Sequence, residues 1–538
     1  VSFVRRHPWL LITALVIVNA FVRNASTPLW DQDEAAYAGF ARRMIETGNW
    51  VVPEFMWSEP HRKPPFLFWS IAVSFKLFGE SEFSLRLPTT LATLATYASL
   101  WWLGRPLLGE RTARLGALVL ATSLLVPNLG KIAFTDSWLL LFDTLAALSL
   151  WQAIEKPAWR WTLLFWSSVA LGLLTKGPPI LILSGGLFAW LLLVHPKRRS
   201  LWRLHPWFGL PLALLPLLAW GRMAWVQTNG ALIRWMIDWY ILHRAAGGTV
   251  FGQVGPPGYH LLVMLVGLLP WSLLLWSALA RLRERWSDPS GRFLIGWLLF
   301  GWIVWELTPS KLPAYAIGGY PAMALLLGDE VRRLDSAAWL KRSIRAGVWT
   351  AGVLSAVFAI AAIGFVLHFA LGNVALASTA IIASIAAGAT LLSARAIRSG
   401  DSTRLTVTLA GAASLCALLL WIGVMPAVDE YRGLTRNIAQ VVAREAAAGS
   451  RIVYSRHFRL PSLPFYMGRL FADQVVADSD EALRARLTDA SAEAFVLSDD
   501  TYQRLRDAFA GTHMTRVDGW IVDGPRRATF WVATKQPR

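Results

Sequence analysis

Long apolar runs, broken by short polar connections, dominate the first four-fifths of the chain. Runs of roughly the length that crosses a bilayer as helix, about 20 residues, fall near 8–23, 86–103, 113–128, 134–152, 162–175, 178–194, 206–226, 259–280, 292–307, 312–328, 346–371, 375–393 and 405–425. Pro65 to Gly79 is also apolar but shorter. From about residue 426 the pattern changes. Short apolar stretches such as "RIVYS" and "EAFVLS" alternate with "SDEALRARL" and "DDTYQRLRDAF", which predicts strands and helices of a small soluble domain. The expected fold class is therefore an all-α polytopic membrane protein of about 13 transmembrane helices with a small C-terminal α/β soluble domain. The expected boundaries are 1–425 for the membrane domain, with 24–85 its first outer loop, and 426–538 for the soluble domain.

Composition supports this. Hydrophobic residues make up 55% and charged residues 16%, against the roughly 25% charge of soluble domains. Many of the 30 tryptophans sit near the ends of apolar runs, a habit of the membrane–water interface. The single cysteine, Cys416, permits no intramolecular disulfide and says nothing of compartment. The first run lacks a small-residue cleavage site and reads as an uncleaved span.

The net charge of +18 is a topology signal. Basic residues gather in alternate connections, 1–7, 104–114, 155–161, 195–206, 281–292, 329–345 and 393–404, and the intervening short ones are nearly free of charge. Basic loops stay in the cytoplasm, so a nucleic-acid partner is not needed to explain the charge. The alternation requires that Pro65–Gly79 not cross. The expected topology puts the N-terminus inside, and the loop 24–85 and the C-terminal domain outside.

The outer side carries the candidate chemistry. "WDQDEAAYAGFARRM", residues 30–44, places Asp31, Asp33 and Glu34 at a lipid boundary. If helical, Asp33 and Tyr37 share a face, and Glu34 lies about 100° around. Acids at a helix start are ordinary partners of its dipole, which accounts for one or two of the three. The chain has nine lysines, and four stand on outer loops: Lys63 in "HRKPPF", Lys131 in "GKIAFTD", Lys176 in "LTKGPP" and Lys311 in "PSKLPAY". Together they read as an anion site, with phosphate the natural guest. Singly, each reads as a side chain snorkelling to headgroups. Asp136 is a second boundary carboxylate that also suits a helix cap. His243 and Arg244 occupy the loop 227–258, as interfacial anchors or phosphate neighbours. The runs are nearly uncharged in their middles; Glu306 is a notable exception, near the outer end of its run.

The motifs "DQDEAAYA", "RKPPFLFW", "FGESEFSLRLP", "GKIAFTDSWLLLFDT", "LGLLTKGP", "GLLPWSLL" and "TPSKLPAYAIGGYPAMALLLG" resemble the polyprenyl-phosphate sugar transferases of the protein O-mannosyltransferase superfamily, whose bacterial branch includes lipid A aminoarabinose transferases. The resemblance covers residues 1 to about 330. It implies a GT-C fold, a donor sugar on a polyprenyl phosphate, a lipid or glycan acceptor, and inversion at the anomeric carbon on the periplasmic face of the bacterial inner membrane. Carried over, Asp33 and Asp136 are the catalytic carboxylates. Lys63, Lys176, Tyr37, Arg244 and Lys131 bind donor or phosphate. Glu34, Lys311, Tyr315 and His243 line the cavity or the acceptor site. The lipid A branch typically reads "EKPP" where this chain has Arg62, with Glu59 and His61 offset, so a divalent metal is left open as cofactor. The rival class is a lipid or glycolipid flippase, whose charged residues should lie in mid-span.

Overall fold

The computed structural model describes residues 8–29, 33–52, 63–243, 253–446, 450–455, 462–468, 474–477, 479–488, 493–521 and 526–534. The chain forms two compact units. One comprises Val1–Asn24, Arg62–Leu67 and Arg86–Val424; the other comprises Ala25–His61, Phe68–Leu85 and Met425–Arg538.

Every apolar run is helical in the first unit. Among the described residues, five helices are long and apolar enough to cross a membrane: Thr135–Glu155, Pro206–Thr228, Arg342–His368, Gly372–Arg398 and Ser402–Arg432. Of the other runs, 86–103 lies in the unbroken helix Glu82–Leu108 and 162–175 in Trp159–Lys176, and the rest fold as shorter or interrupted helices. Pro8–Phe21 and Pro179–Val194 are uninterrupted but shorter, and 113–128 divides into Glu110–Ala121 and Leu125–Leu129. The run 259–280 is not one straight helix: Tyr259–Gly267 and Trp271–Ala280 meet at 117°. Pro270 removes a backbone donor there and ends the first helix. The Phe66–Phe78 helix has 13 residues, about 20 Å long at 1.5 Å per residue and shorter than a hydrocarbon core of about 30 Å.

Burial separates these apolar helices. Of the apolar stretch of Thr135–Glu155, 89% of the residues are buried, at the centre of the unit, against 11% in that of Arg342–His368. An apolar helix so little covered by protein needs an apolar solvent, and lipid supplies it. Near the centre, Gly301 lies against the backbone of Gly318 and Gly319: a Cβ at residue 301 would meet Gly318 C and Gly319 N at 2.7 Å. This lets the helical turns 299–303 and Tyr315–Gly319 touch.

The second unit contains a five-stranded sheet of β1 (Arg451–Ser455), β2 (Gln474–Ala477), β3 (Glu493–Ser498), β4 (His513–Ile521) and β5 (Arg526–Thr534), in the order β2-β1-β3-β5-β4. β2, β1 and β3 are parallel, and β5 and β4 add antiparallel. Alternation along the central strands supplies two cores: Ile452, Tyr454, Ala494 and Val496 on one face, and Val453, Phe495 and Leu497 on the other. The Asp33–Thr47 helix belongs to this unit. Arg42 on that helix bonds Glu80 through Nε at 2.8 Å, Pro464 O at 2.6 Å and Phe465 O at 3.3 Å. The hydroxyl of Tyr466 accepts from Leu29 N–H at 2.9 Å, and burial pushes it up to about 12.

Candidate active site

Two helix ends create the most pointed charge pair of the first unit. The Trp159–Lys176 helix stops at Gly177, whose φ of 76° suits a residue without Cβ, and Pro179 opens the next helix. This leaves Lys176 at the negative end of one helix dipole. Asp136 lies in the first turn of Thr135–Glu155, at a positive end. Lys176 Nζ donates to Asp136 Oδ1 at 2.7 Å. Both groups are largely shielded, with side-chain exposures of 19% and 10%. No side-chain cap closes this helix: the N-cap position is Phe134, and Asp136 pairs with Lys176.

Two further segments converge on this pair. The Lys176 ammonium stands 5.6 Å from the centroid of the Tyr315 ring, within cation–π range. Tyr315 in turn packs on Trp305, with ring centroids 5.8 Å apart. Three residues after Lys63, the Phe66 ring packs edge-on against Trp138 at 5.0 Å and Phe142 at 5.4 Å, both on the helix that carries Asp136. Pro64 and Pro65 are buried, and Lys63 is half-buried. The structure thus brings Asp136, Lys176 and Tyr315 together and places the Lys63 segment on the Asp136 helix.

The opening acidic stretch belongs to the second unit. Asp33 is exposed and Glu34 fully buried in the first turn of Asp33–Thr47, so the helical reading of this stretch is correct. Tyr37 is buried and its ring lies 5.4 Å from Phe68. His243 is half-buried and ends the helical turn Met236–His243. Asp31, Glu59, His61, Arg62 and Arg244 lie outside the described residues. Among the described residues, no group of three His, Cys, Asp or Glu side chains is arranged to hold a metal ion.

Lys131 and Lys311 have other partners. Lys131 Nζ donates to Asn19 O at 2.8 Å and Val22 O at 2.7 Å, and sits 4.5 Å from the Trp421 ring centroid. It caps carbonyls at the end of the Pro8–Phe21 helix. Burial and the nearby Arg86 pull its ammonium down to about 7. Lys311 Nζ donates to Trp305 O at 3.0 Å and Glu306 O at 2.6 Å. The sequence does not distinguish these two lysines from Lys176, because all stand at the ends of apolar runs.

An apolar cavity of about 450 Å³ lies in the same unit, lined mainly by leucine, isoleucine and valine, with Ile132 and Pro313 among its walls. Asp136 follows Ile132 by four residues, and Tyr315 follows Pro313 by two. Ile132 and Pro313 thus place two walls of the groove on the stretches that carry Asp136 and Tyr315, while Lys176 stands on a third.

Known proteins bear out the resemblance read from the motifs. Residues 62–221 match the family model described as dolichyl-phosphate-mannose-protein mannosyltransferase. An undecaprenyl phosphate-alpha-4-amino-4-deoxy-L-arabinose arabinosyl transferase of Edwardsiella ictaluri is 30% identical over 338 residues, 61% of this chain and 60% of that protein. The protein of the same name from Pseudomonas paraeruginosa is 29% identical over 351 residues, 62% of each chain. The matched stretch thus spans about three-fifths of these relatives. In fold, the chain matches the crystal structure of ArnT from Cupriavidus metallidurans bound to undecaprenyl phosphate, with a TM-score of 0.74 and 20% identity over 98% of both chains. The apo state of that protein matches with a TM-score of 0.72.

Proposed function

We propose that this chain is an inverting glycosyltransferase that moves a monosaccharide from a polyprenyl-phosphate carrier to an envelope acceptor: lipid A, lipopolysaccharide core or another glycan. It spans the bacterial inner membrane about thirteen times, with its basic loops in the cytoplasm, and works on the periplasmic face. The observation that carries this reading is the Lys176–Asp136 pair beside the Tyr315 ring; the stretches that bear Asp136 and Tyr315 also contribute walls to an apolar groove. A cation paired at the ends of apolar helices suits a phosphate whose ester is a long isoprenoid. The names of the relatives, and of the matching ligand-bound structure, support the same donor class.

The chemistry asked of these residues is modest. The acceptor oxygen attacks the anomeric carbon from the side opposite the phosphate. The bond from that carbon to the phosphate oxygen breaks, and the electron pair leaves with the polyprenyl phosphate. Lys176 and Lys63 stabilise the charge gathering on that group, an electrostatic effect worth more where water is excluded. Asp33 takes the acceptor proton where the acceptor is a hydroxyl. Asp136 holds the Lys176 ammonium at the outer end of its helix until phosphate arrives. Confining the donor to the bilayer replaces affinity for a soluble sugar nucleotide by proximity.

Among the described residues, the bend of 117° between Tyr259–Gly267 and Trp271–Ala280 favours a transporter, because broken helices bind substrates in that class, as does Asp143, buried within Thr135–Glu155. The charged pair lies at helix ends and not in that break, which favours the transferase. Direct binding of polyprenyl phosphate to the protein in nanodiscs tests the donor site. Lys176→Met should weaken binding at least tenfold; equal affinity of both proteins would refute the assignment.

A further inference from the structure

Glu306 belongs to none of the roles assigned above, yet the segment that carries Tyr315 is built around it. It closes the short helical turn Val304–Glu306. Its Oε1 accepts from Leu261 N–H at 2.8 Å, and its Oε2 lies 3.6 Å from Lys311 Nζ. The same ammonium caps the carbonyls of Trp305 and Glu306. Lys311 N–H donates to Gln253 O at 3.0 Å, and Ser310 bridges to Val254. His260 is fully buried, and its Nε2 stands 3.2 Å from Leu312 O, so that nitrogen carries the proton. Its Nδ1 then faces Glu306 Oε2 at 3.7 Å, and neither atom has a hydrogen-bond partner. Leu312 O also accepts from Tyr315 N–H at 3.0 Å. Residues 305 to 315 are thus pinned at nearly every other position, and the last of them offers its ring to Lys176.

Such a cluster is costly as packing alone. The Lys311 side chain is 2% exposed and that of Glu306 15%. A buried ion pair is commonly replaced by apolar residues of similar size without loss of stability, and sometimes with a gain. What the charges supply and apolar groups do not is one fixed geometry. We infer that Glu306 is a positioning residue for the lipid-phosphate donor: through Lys311 it fixes the 306–315 turn and so holds Tyr315 against Lys176. The inference rests on the proposed donor site at Lys176.

The test is a titration of polyprenyl phosphate into the full chain in nanodiscs, with thermal unfolding measured alongside. The variants are Glu306→Gln, the apolar pair Glu306→Leu with Lys311→Met, and Lys176→Met as reference. The apolar pair leaves Leu261 N–H and the Trp305 and Glu306 carbonyls unpaired, so it should unfold at a lower temperature and bind the probe about tenfold more weakly. Glu306→Gln is isosteric and keeps an acceptor for Leu261 N–H, so it should fold and show the same direction of change. Wild-type affinity in both Glu306 variants, with Lys176→Met weakened, would overturn the positioning role and leave the donor site intact. Wild-type affinity in Lys176→Met would overturn the donor site and the inference with it.

Discussion

Lys176 Nζ donates to Asp136 Oδ1 at 2.7 Å, joining the negative end of one helix to the positive end of another. Each charge is already favoured by its helix dipole, so the pair is set in place before any ligand arrives. If phosphate takes over the ammonium, the two residues should differ on substitution. Lys176→Met should lower kcat/KM for the lipid donor by about 10²–10³. Asp136→Asn keeps the ammonium and removes only its counter-charge, so its loss should be smaller, about tenfold. Steady-state kinetics at varied donor concentration checks both.

Lys131 should behave as a structural lysine. Its ammonium satisfies two carbonyls at the end of the Pro8–Phe21 helix, and Lys131→Met would leave both unpaired. Such a loss costs about 1–3 kcal/mol. The expected outcome is a lower unfolding temperature in detergent with an unchanged KM for donor. An unchanged melt with a raised KM would return Lys131 to the phosphate site.

Glu80 gives the second unit a pH signature. Burial raises its carboxyl above the ordinary value of 4.5 despite Arg42 beside it. The folded chain then holds that proton more tightly than the unfolded chain. The stability this contributes is fully present below 4.5 and is lost as pH rises through the folded value. Glu80→Gln, which still accepts from Arg42 Nε, should flatten the pH dependence of unfolding from 4.5 upward. A profile that keeps its slope in this variant would assign the effect to another group.

Gly301→Ala should damage the site from a distance. The added methyl would stand 2.7 Å from the backbone of Gly318 and Gly319, and no side chain there is free to yield. Separating these segments shifts the turn that follows Tyr315. The expected result is a lower unfolding temperature, by about 1–3 kcal/mol of overpacking, together with weaker binding of polyprenyl phosphate.

Much of this was legible in the sequence because lipid enforces a simple code. Each apolar run is helical, and the break read between the runs ending at 175 and starting at 178 coincides with the helix end at Lys176. Burial was not legible. Thr135–Glu155 and Arg342–His368 are both apolar, but one is the core and the other faces outward. In a membrane both environments select the same residues. The bend at Pro270 escaped a reading by apolar content, which does not register a missing backbone donor. Lys131 and Lys311 read like Lys176 because a helix end needing a cap and a phosphate needing a cation ask for the same side chain. Only the three-dimensional partner separates them. His260 offered no signal beyond being a histidine at the start of an apolar run.

We propose that this chain transfers sugar from a lipid phosphate with the help of a carboxylate of the opening acidic stretch. The measurement that tests it most directly is release of free polyprenyl phosphate by the purified protein in lipid, supplied with polyprenyl-phosphate sugars and a membrane glycolipid extract. Wild type should release it only when acceptor is present, and Asp33→Asn should not. Equal release by both proteins would remove Asp33 from the mechanism. No release with any sugar, alongside protein-dependent movement of the lipid across the bilayer, would contradict the transferase and establish the flippase.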